Sequence, residues 1–354
     1  MHSNYHEKGP WDFTAGKNPV KASWDDKICV LATLLCIPIL LPWWILKSIC
    51  SGGKQSFKVK VFVLFAHHLI GHKPVEQQRI LAPAVPLRKE LNKFIVRRKG
   101  ETLNDYNKMF TVDGASARWI YQVPDRTAND PVLLYLHGGA YILSTSFIQA
   151  DWLIEFAKLN MKSRLSILCV DYTVAPEGRH PVQLNETIKV YNQLQLSCNR
   201  IITFGDSAGG HLAVILQLWC QQNHIPRPFG VLLISPWVQL DIGNDGSWIS
   251  NKSRDFVMLA PDIATNFCAK EQFEDPAVNP IRGSKEFWTG TFEQRTAIVW
   301  GEYEVFRDSC EEFAANANIS NTFEEPGVFH DVMVVGTNNA TTSYLIDKLN
   351  EWIA

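Results

Sequence analysis

A mostly parallel β-sheet buried between layers of helices is the α/β fold class this sequence predicts, and two observations predict it. From Pro131 onward, short apolar runs ("VLLYLH", "LSILCVDY", "RIITFGDS", "GVLLISPW" and "TAIVWGE") alternate with longer amphipathic segments. Near-continuous apolar strands separated by helices belong to a parallel sheet covered on both faces, because each crossover lays a helix on the sheet. The second observation is composition. With 46% hydrophobic and 20% charged residues over 354 positions, the chain can bury one large domain plus an appendage. Twelve tryptophans and nineteen phenylalanines point to an aromatic core and an apolar cleft. A net charge of −2 without a long basic run argues against nucleic acid as a partner. The eight cysteines show neither C-x-x-C pairs nor zinc-like spacing and read as buried thiols.

Ahead of the sheet, residues 1–27 are polar, with mixed charges. Ile28 to Leu46, "ICVLATLLCIPILLPWWIL", is nineteen residues without a charge, about the length a helix needs to cross a ~30 Å hydrocarbon core. Trp43 and Trp44 suit a membrane interface and Lys47 closes the run, so 28–46 reads as a membrane anchor holding the protein to lipid. A cleaved signal peptide fits poorly, since the leader is long and lacks a small-x-small site. Pro38 and Pro42 leave an in-plane seat open. Orientation signals conflict. Lys47, Lys54, Lys58 and Lys60 favour a cytosolic domain, whereas sequons at Asn185, Asn251, Asn318 and Asn339 would matter only in a lumen. Residues 57–122 read as a mainly helical cap, with a helix over Val85 to Arg98, and 123–354 as the catalytic domain.

Gly205-Asp206-Ser207-Ala208-Gly209 fits G-x-S-x-G, with "RIITF" before it as a strand and "GGHLAVILQLWCQQ" after it as a helix. That strand–turn–helix context marks a nucleophile elbow, whose tight turn lifts the serine hydroxyl above the sheet and needs small neighbours. A serine needs a base, and the base an orienting acid. Of the histidines after Ser207, His211 lies one turn into the outgoing helix and His224 in a polar helix-end loop. His330, late in the chain after a strand-like stretch, is the base the pattern predicts. The acid is expected just past "TAIVW", where Glu302 and Glu304 both qualify and Asp308 is already in a helix. Upstream, "YLHGGAY" offers backbone N–H donors for an oxyanion, with His137 as a loop-fixing residue.

Taken together, "HGGAY", "GDSAGG", "YEVFRD", "FHD" and "DYTVAPE" resemble the hormonesensitive-lipase branch of the α/β-hydrolases, over about residues 130 to 335. The anchored layout is similar to fungal steryl acetyl hydrolases of the endoplasmic reticulum. The resemblance implies an α/β-hydrolase fold with Ser207 as nucleophile, His330 as base and Glu304, four residues before Asp308, as acid in place of the usual aspartate. It implies oxyanion donors at Gly138 or Gly139, Ala140 and Ala208. Ala140 replaces the family's third glycine, which adds a methyl to the acyl pocket and favours small acyl groups. The activity so implied is hydrolysis of short esters, such as acetates, of a lipophilic alcohol, with no metal or organic cofactor. The alternatives are an amide or formamide hydrolase, since H-G-G-A also resembles kynurenine formamidases, and a non-catalytic hydrolase-fold binding protein.

Overall fold

The computed structural model describes residues 20–71, 73–85, 87–97, 106–160, 164–257, 263–292 and 295–354. Most of the polar segment 1–27 and the end of the Val85–Arg98 helix therefore lie outside the described residues. The strands are β1 (Lys108–Phe110), β2 (Ala117–Tyr121), β3 (Val132–Leu136), β4 (Ser166–Val170), β5 (Ile201–Asp206), β6 (Gly230–Ile234), β7 (Thr296–Gly301) and β8 (Asn321–Glu325). They form one sheet in the order β1-β2-β4-β3-β5-β6-β7-β8, parallel except for the β1/β2 and β2/β4 pairs.

The five apolar runs are the five central strands, and every residue of them is buried. Helices account for that burial. Val190 of α6 (Val182–Gln195) and Leu212 of α7 (Ala208–Gln222) pack with Leu134 and Leu168. Leu153 and Phe156 of α5 (Phe147–Leu159) cover the other face, with Leu345 and Leu349 of the C-terminal helix Ala340–Ile353. Each large side chain removed from water contributes on the order of 1.5–3 kcal/mol, so the continuous apolar strands are what makes the sheet worth covering twice. Five of the cysteines are buried as expected; Cys29, Cys36 and Cys50 are exposed, and all eight are free.

The helical reading of 57–122 needs correction at its end. Helices α2 (Phe57–Ile70), α3 (Val75–Leu81) and α4 (Leu87–Arg97) are present, but β1 and β2 within 108–121 belong to the sheet. β2 buries Ala117, Trp119 and Ile120 and pairs antiparallel with β4, which a helical period in this stretch would not allow.

The apolar run lies in helix α1, Trp24–Cys50, which starts at a Ser23/Asp26 capping box and continues through Pro38 and Pro42. Ile28, Leu31, Leu35, Ile39, Leu46 and Ile49 are exposed. The opposite stripe, Val30, Thr33, Trp44 and Ser48, is buried. His68 Nε2 donates to Thr33 O at 2.8 Å, Lys73 Nζ to Thr33 Oγ1 at 3.1 Å, Gln77 Nε2 to Asp26 Oδ1 at 3.3 Å and Lys60 Nζ to Ser51 O at 2.6 Å. α1 is thus docked along its length on α2, α3 and the turn between them. One sequon asparagine is also committed. Asn251 is buried and its Nδ2 donates to two backbone carbonyls, so a glycan on it is incompatible with this packing.

Candidate active site

β5 ends at Asp206 and α7 begins at Ala208, so Ser207 alone makes the turn, with φ 51° and ψ −117°. A side chain in that region costs of order 1–3 kcal/mol and persists only where its surroundings enforce it. The enforcement is visible. Ser207 N–H donates to Ile234 O at 2.9 Å, and Trp237 N–H and His211 N–H donate to Ser207 O. A Cβ on Gly209 would lie 1.9 Å from Leu136 O, and one on Gly205 would lie 2.4 Å from the Gly209 backbone. The glycines are there because the helix starts against the strands without room for a methyl group.

Ser207 opens into a cavity of about 220 Å3 that His330 also lines. Its walls are mostly apolar, with Leu143, Trp237, Phe256, Ile263 and Phe306 among them, and Ile70 and Gln78 reach in from α2 and α3. A larger open cleft lies at the opposite, N-terminal end of the strands, beside Phe229 and Arg295. In parallel α/β sheets ligands bind at the strands' C-terminal ends, which singles out the smaller cavity.

Glu304 is fully buried, with Oε2 3.8 Å from His330 Nδ1, an ion-pair contact longer than a hydrogen bond. The same oxygen accepts from Ser235 Oγ at 2.5 Å, and Cys310 Sγ lies 3.8 Å from Oε1. Burial pulls the His330 imidazole down, but the Glu304 carboxylate, joined by Asp255 and Asp331, outweighs it, so the ring is held above its ordinary value. Glu302, the other acid the spacing allowed, points away. Its carboxylate accepts from Gly327 N–H at 2.8 Å and pairs with Lys54. Asp308 accepts from Ser247 N–H and pairs with Arg307.

The oxyanion-loop reading changes at one residue. Gly138 N–H donates to Asp206 Oδ1 at 3.0 Å, so it is not available to a substrate, although Gly138 lines the cavity. The Asp206 carboxylate, which also accepts from Tyr135 OH at 2.6 Å and Gln149 Nε2 at 2.8 Å, draws that N–H aside. Gly139 (φ 109°) and Ala140 (φ 51°) line the cavity next to it. Ala208, at the first helical position of α7, carries one of the N–H groups that no helix satisfies internally. Ala140 is followed by Tyr141 at φ 61°. The Tyr141 ring stacks on Phe267 at 3.9 Å and its hydroxyl donates to His211 Nδ1 at 2.6 Å, which holds this strained pair in place. His211 Nε2–H in turn donates to Val278 O at 2.7 Å. Burial pushes its pKa down to about 3, so it packs as a neutral ring. His137 stacks on Tyr172 at 4.0 Å and Tyr172 OH donates to His137 O, a loop-fixing role.

Sequence reasoning missed Ser235, Asp255 and Asp331. Ser235 (φ 44°) donates to Glu304 and accepts from Asp331 N–H at 3.2 Å. Burial, then the neighbouring Asp206 carboxylate, hold Asp331 well above the usual carboxylate range. Burial pushes Asp255 up to about 7; His330 opposes and Glu304 reinforces that rise. The signal for Asp206 and Asp331 was their adjacency to Ser207 and His330. None existed for Ser235 or Asp255.

Residues 133–334 match the family model described as alpha/beta hydrolase fold. The mug81 protein of Schizosaccharomyces pombe, provisionally named a steryl acetyl hydrolase, is 32% identical over 229 residues, 58% of this chain and 60% of its own. An acetyl-hydrolase of Streptomyces hygroscopicus is 30% identical over 231 residues, 62% of this chain and 73% of its own. The match to mug81 therefore spans less than two thirds of that relative. Among solved structures, a hormone-sensitive lipase from a metagenome library superposes with a TM-score of 0.66 at 21% identity, covering 84% of this chain and 96% of its own; at that identity the likeness is one of fold.

Proposed function

The chain belongs to the alpha/beta-hydrolase family, and on that premise we propose that it is a membrane-associated serine ester hydrolase removing short acyl groups from lipophilic alcohols. One observation carries the reading: Ser207 sits at a strained strand–helix elbow and shares its cavity with His330, which has a buried carboxylate behind it. Ser207 Oγ attacks the ester carbonyl while His330 Nε2 takes its proton. Glu304 steadies the imidazolium so formed. The N–H groups of Gly139, Ala140 and Ala208 receive the oxyanion. As the C–O bond breaks, His330 returns the proton to the departing alcohol, and water then repeats the sequence to release the acid.

Cavity size supports a short acyl group. About 220 Å3 lies below the ~300–1,000 Å3 of pockets that enclose drug-sized ligands, so a bulky alcohol such as a sterol would remain at the mouth, beside Ile70. The relatives named for acetyl and steryl acetyl hydrolysis support acetate as the acid part. With acetyl, butyryl and decanoyl p-nitrophenyl esters, kcat/KM should be highest for acetyl, by about tenfold over butyryl. Ala140→Gly, which removes a methyl at the acyl wall, should move that preference toward butyryl. A flat or inverted series in the unaltered protein would refute the short-acyl reading.

The exposed apolar face of α1 supports lipid contact. His68 and Lys73 bond to Thr33 inside the apolar run, and in a spanning helix they would share its hydrocarbon depth at considerable cost. That favours a helix lying along one membrane interface over the single-pass anchor that the length of 28–46 suggested. Cys29 and Cys50 are exposed near the two ends of α1. In vesicles, a membrane-impermeant maleimide should label both from the side of the catalytic domain. Labelling of the two from opposite sides would establish a span instead.

A further inference from the structure

The loops bearing Glu304 and His330 meet at a short segment that the serine motif and the cavity do not explain. After the helix Gly246–Ser250 the chain turns, with Arg254 N–H and Asp255 N–H both donating to Asn251 O. The turn presents the Asn251 and Asp255 side chains to the loop that follows β7. Asn251 Nδ2 donates to Glu302 O at 3.1 Å and to Glu304 O at 3.0 Å. Asp255 Oδ2 accepts from Val305 N–H at 2.7 Å, and its Oδ1 from His330 N–H at 3.2 Å. The Glu304–Val305 peptide is therefore gripped at both its carbonyl and its N–H, and one carboxylate links it to the backbone of the imidazole residue. Both side chains are buried, and neither lines the cavity.

Asp255 carries two oxygens that accept from N–H groups on two separate loops, with Oδ1 also taking Val257 N–H at 3.2 Å, a pattern that asparagine, with one oxygen and an NH2 donor in place of the other, does not match. The outer side of the segment is held by the helices that precede the sheet. His67 Nε2 meets Asp255 O at 2.5 Å, Gln55 Nε2 donates to Arg254 O at 2.8 Å, and the Phe62 ring packs on Phe256 and Phe329.

We propose that Asn251 and Asp255 are positioning residues, a clamp that sets the Glu304 carboxylate and the His330 ring in register for proton transfer. The proposal rests on the serine-hydrolase reading above. Neither clamp residue touches the ester, so their loss acts on the chemical step and not on substrate binding, and a misplacement of about 1 Å in such a site costs on the order of 100-fold in rate.

The test is Asp255→Asn and Asn251→Ala in the full chain. Acetyl-ester kinetics are normalised to the number of sites titrated by a fluorophosphonate, with Ser207→Ala alongside. The expected result is a fall in kcat per titrated site of about 10- to 100-fold in each variant, with KM within about threefold of the parent. A kcat per titrated site within twofold of the parent overturns the clamp. So does a loss confined to the number of titratable sites, since that marks a purely structural role. Should Asp255→Asn fail to fold, Asn251→Ala decides the question by the same criteria. Failure of the underlying reading looks different: Ser207→Ala would then keep the parent's activity or its fluorophosphonate labelling.

Discussion

Ser207→Ala lowers ester hydrolysis by about four to six orders of magnitude, the range in which the unit of serine, base and acid acts in related chemistry, and it abolishes fluorophosphonate labelling. Two features of the fold make this a clean experiment. The hydroxyl has no bond holding the turn together, since the turn is fixed by Ser207 N–H to Ile234 O and by the two donors onto Ser207 O, all backbone groups. Alanine at φ 51° is strained to the same degree as serine, so folded stability should stay within about 0.5 kcal/mol. Thermal unfolding measured beside the kinetics then separates lost chemistry from lost protein. Residual activity above one part in a hundred, with an unchanged melting curve, would place the nucleophile elsewhere and leave the elbow as a fold element only. The binding-protein alternative is met by the same measurement, because a non-catalytic chain gives a parent rate no higher than that of Ser207→Ala.

The parts of the fold that were legible are those in which one residue type dominates a stretch. β3 to β7 are buried on both faces, so their composition alone marks them. β8 alternates partly exposed, exposed and buried positions through "NTFEE", and β2 lies in a stretch of mixed polarity, so neither stands out from its surroundings. Site residues divide similarly. Ser207, the oxyanion loop and His330 occupy short motifs in fixed chain order. By contrast, Ser235 meets Glu304 across 69 positions and Asp255 meets His330 across 75. No local period encodes such a pair, because the sheet order creates the contact. Gly138 shows the converse error. Its place in the glycine run suggested a donor for substrate, and only the packed structure shows the Asp206 carboxylate accepting that N–H first.

Glu304→Gln should lower kcat by about 100- to 10,000-fold and move the acid limb of the kcat/KM profile to lower pH. The loss arises from the tautomer. In the parent, a carboxylate facing His330 Nδ1 can only accept, so the ring keeps its proton on Nδ1 and leaves Nε2 free for Ser207. An amide with its NH2 at the Oε2 position, the atom that in the parent both accepts from Ser235 and faces Nδ1, would have the Ser235 hydroxyl turn to accept from it. It would present a donor to Nδ1 and drive the proton onto Nε2, the wrong nitrogen. The pH shift follows from the same carboxylate. In the proposed mechanism His330 acts as a base only when neutral, so activity should disappear as pH falls through its pKa. In the parent that pKa is raised, because Glu304, Asp255 and Asp331 together outweigh the burial that would lower it, and the limb should lie above the ~6.5 of an ordinary imidazole. With the Glu304 charge gone the burial remains, opposed only by the smaller pulls of Asp255 and Asp331, and the limb should move down. Glu302→Gln, at a side chain paired with Lys54 and Gly327, should leave the limb where it was. If instead Glu302→Gln moves the limb and Glu304→Gln does not, the acid is Glu302 and the contact across 3.8 Å between Glu304 and His330 is structural.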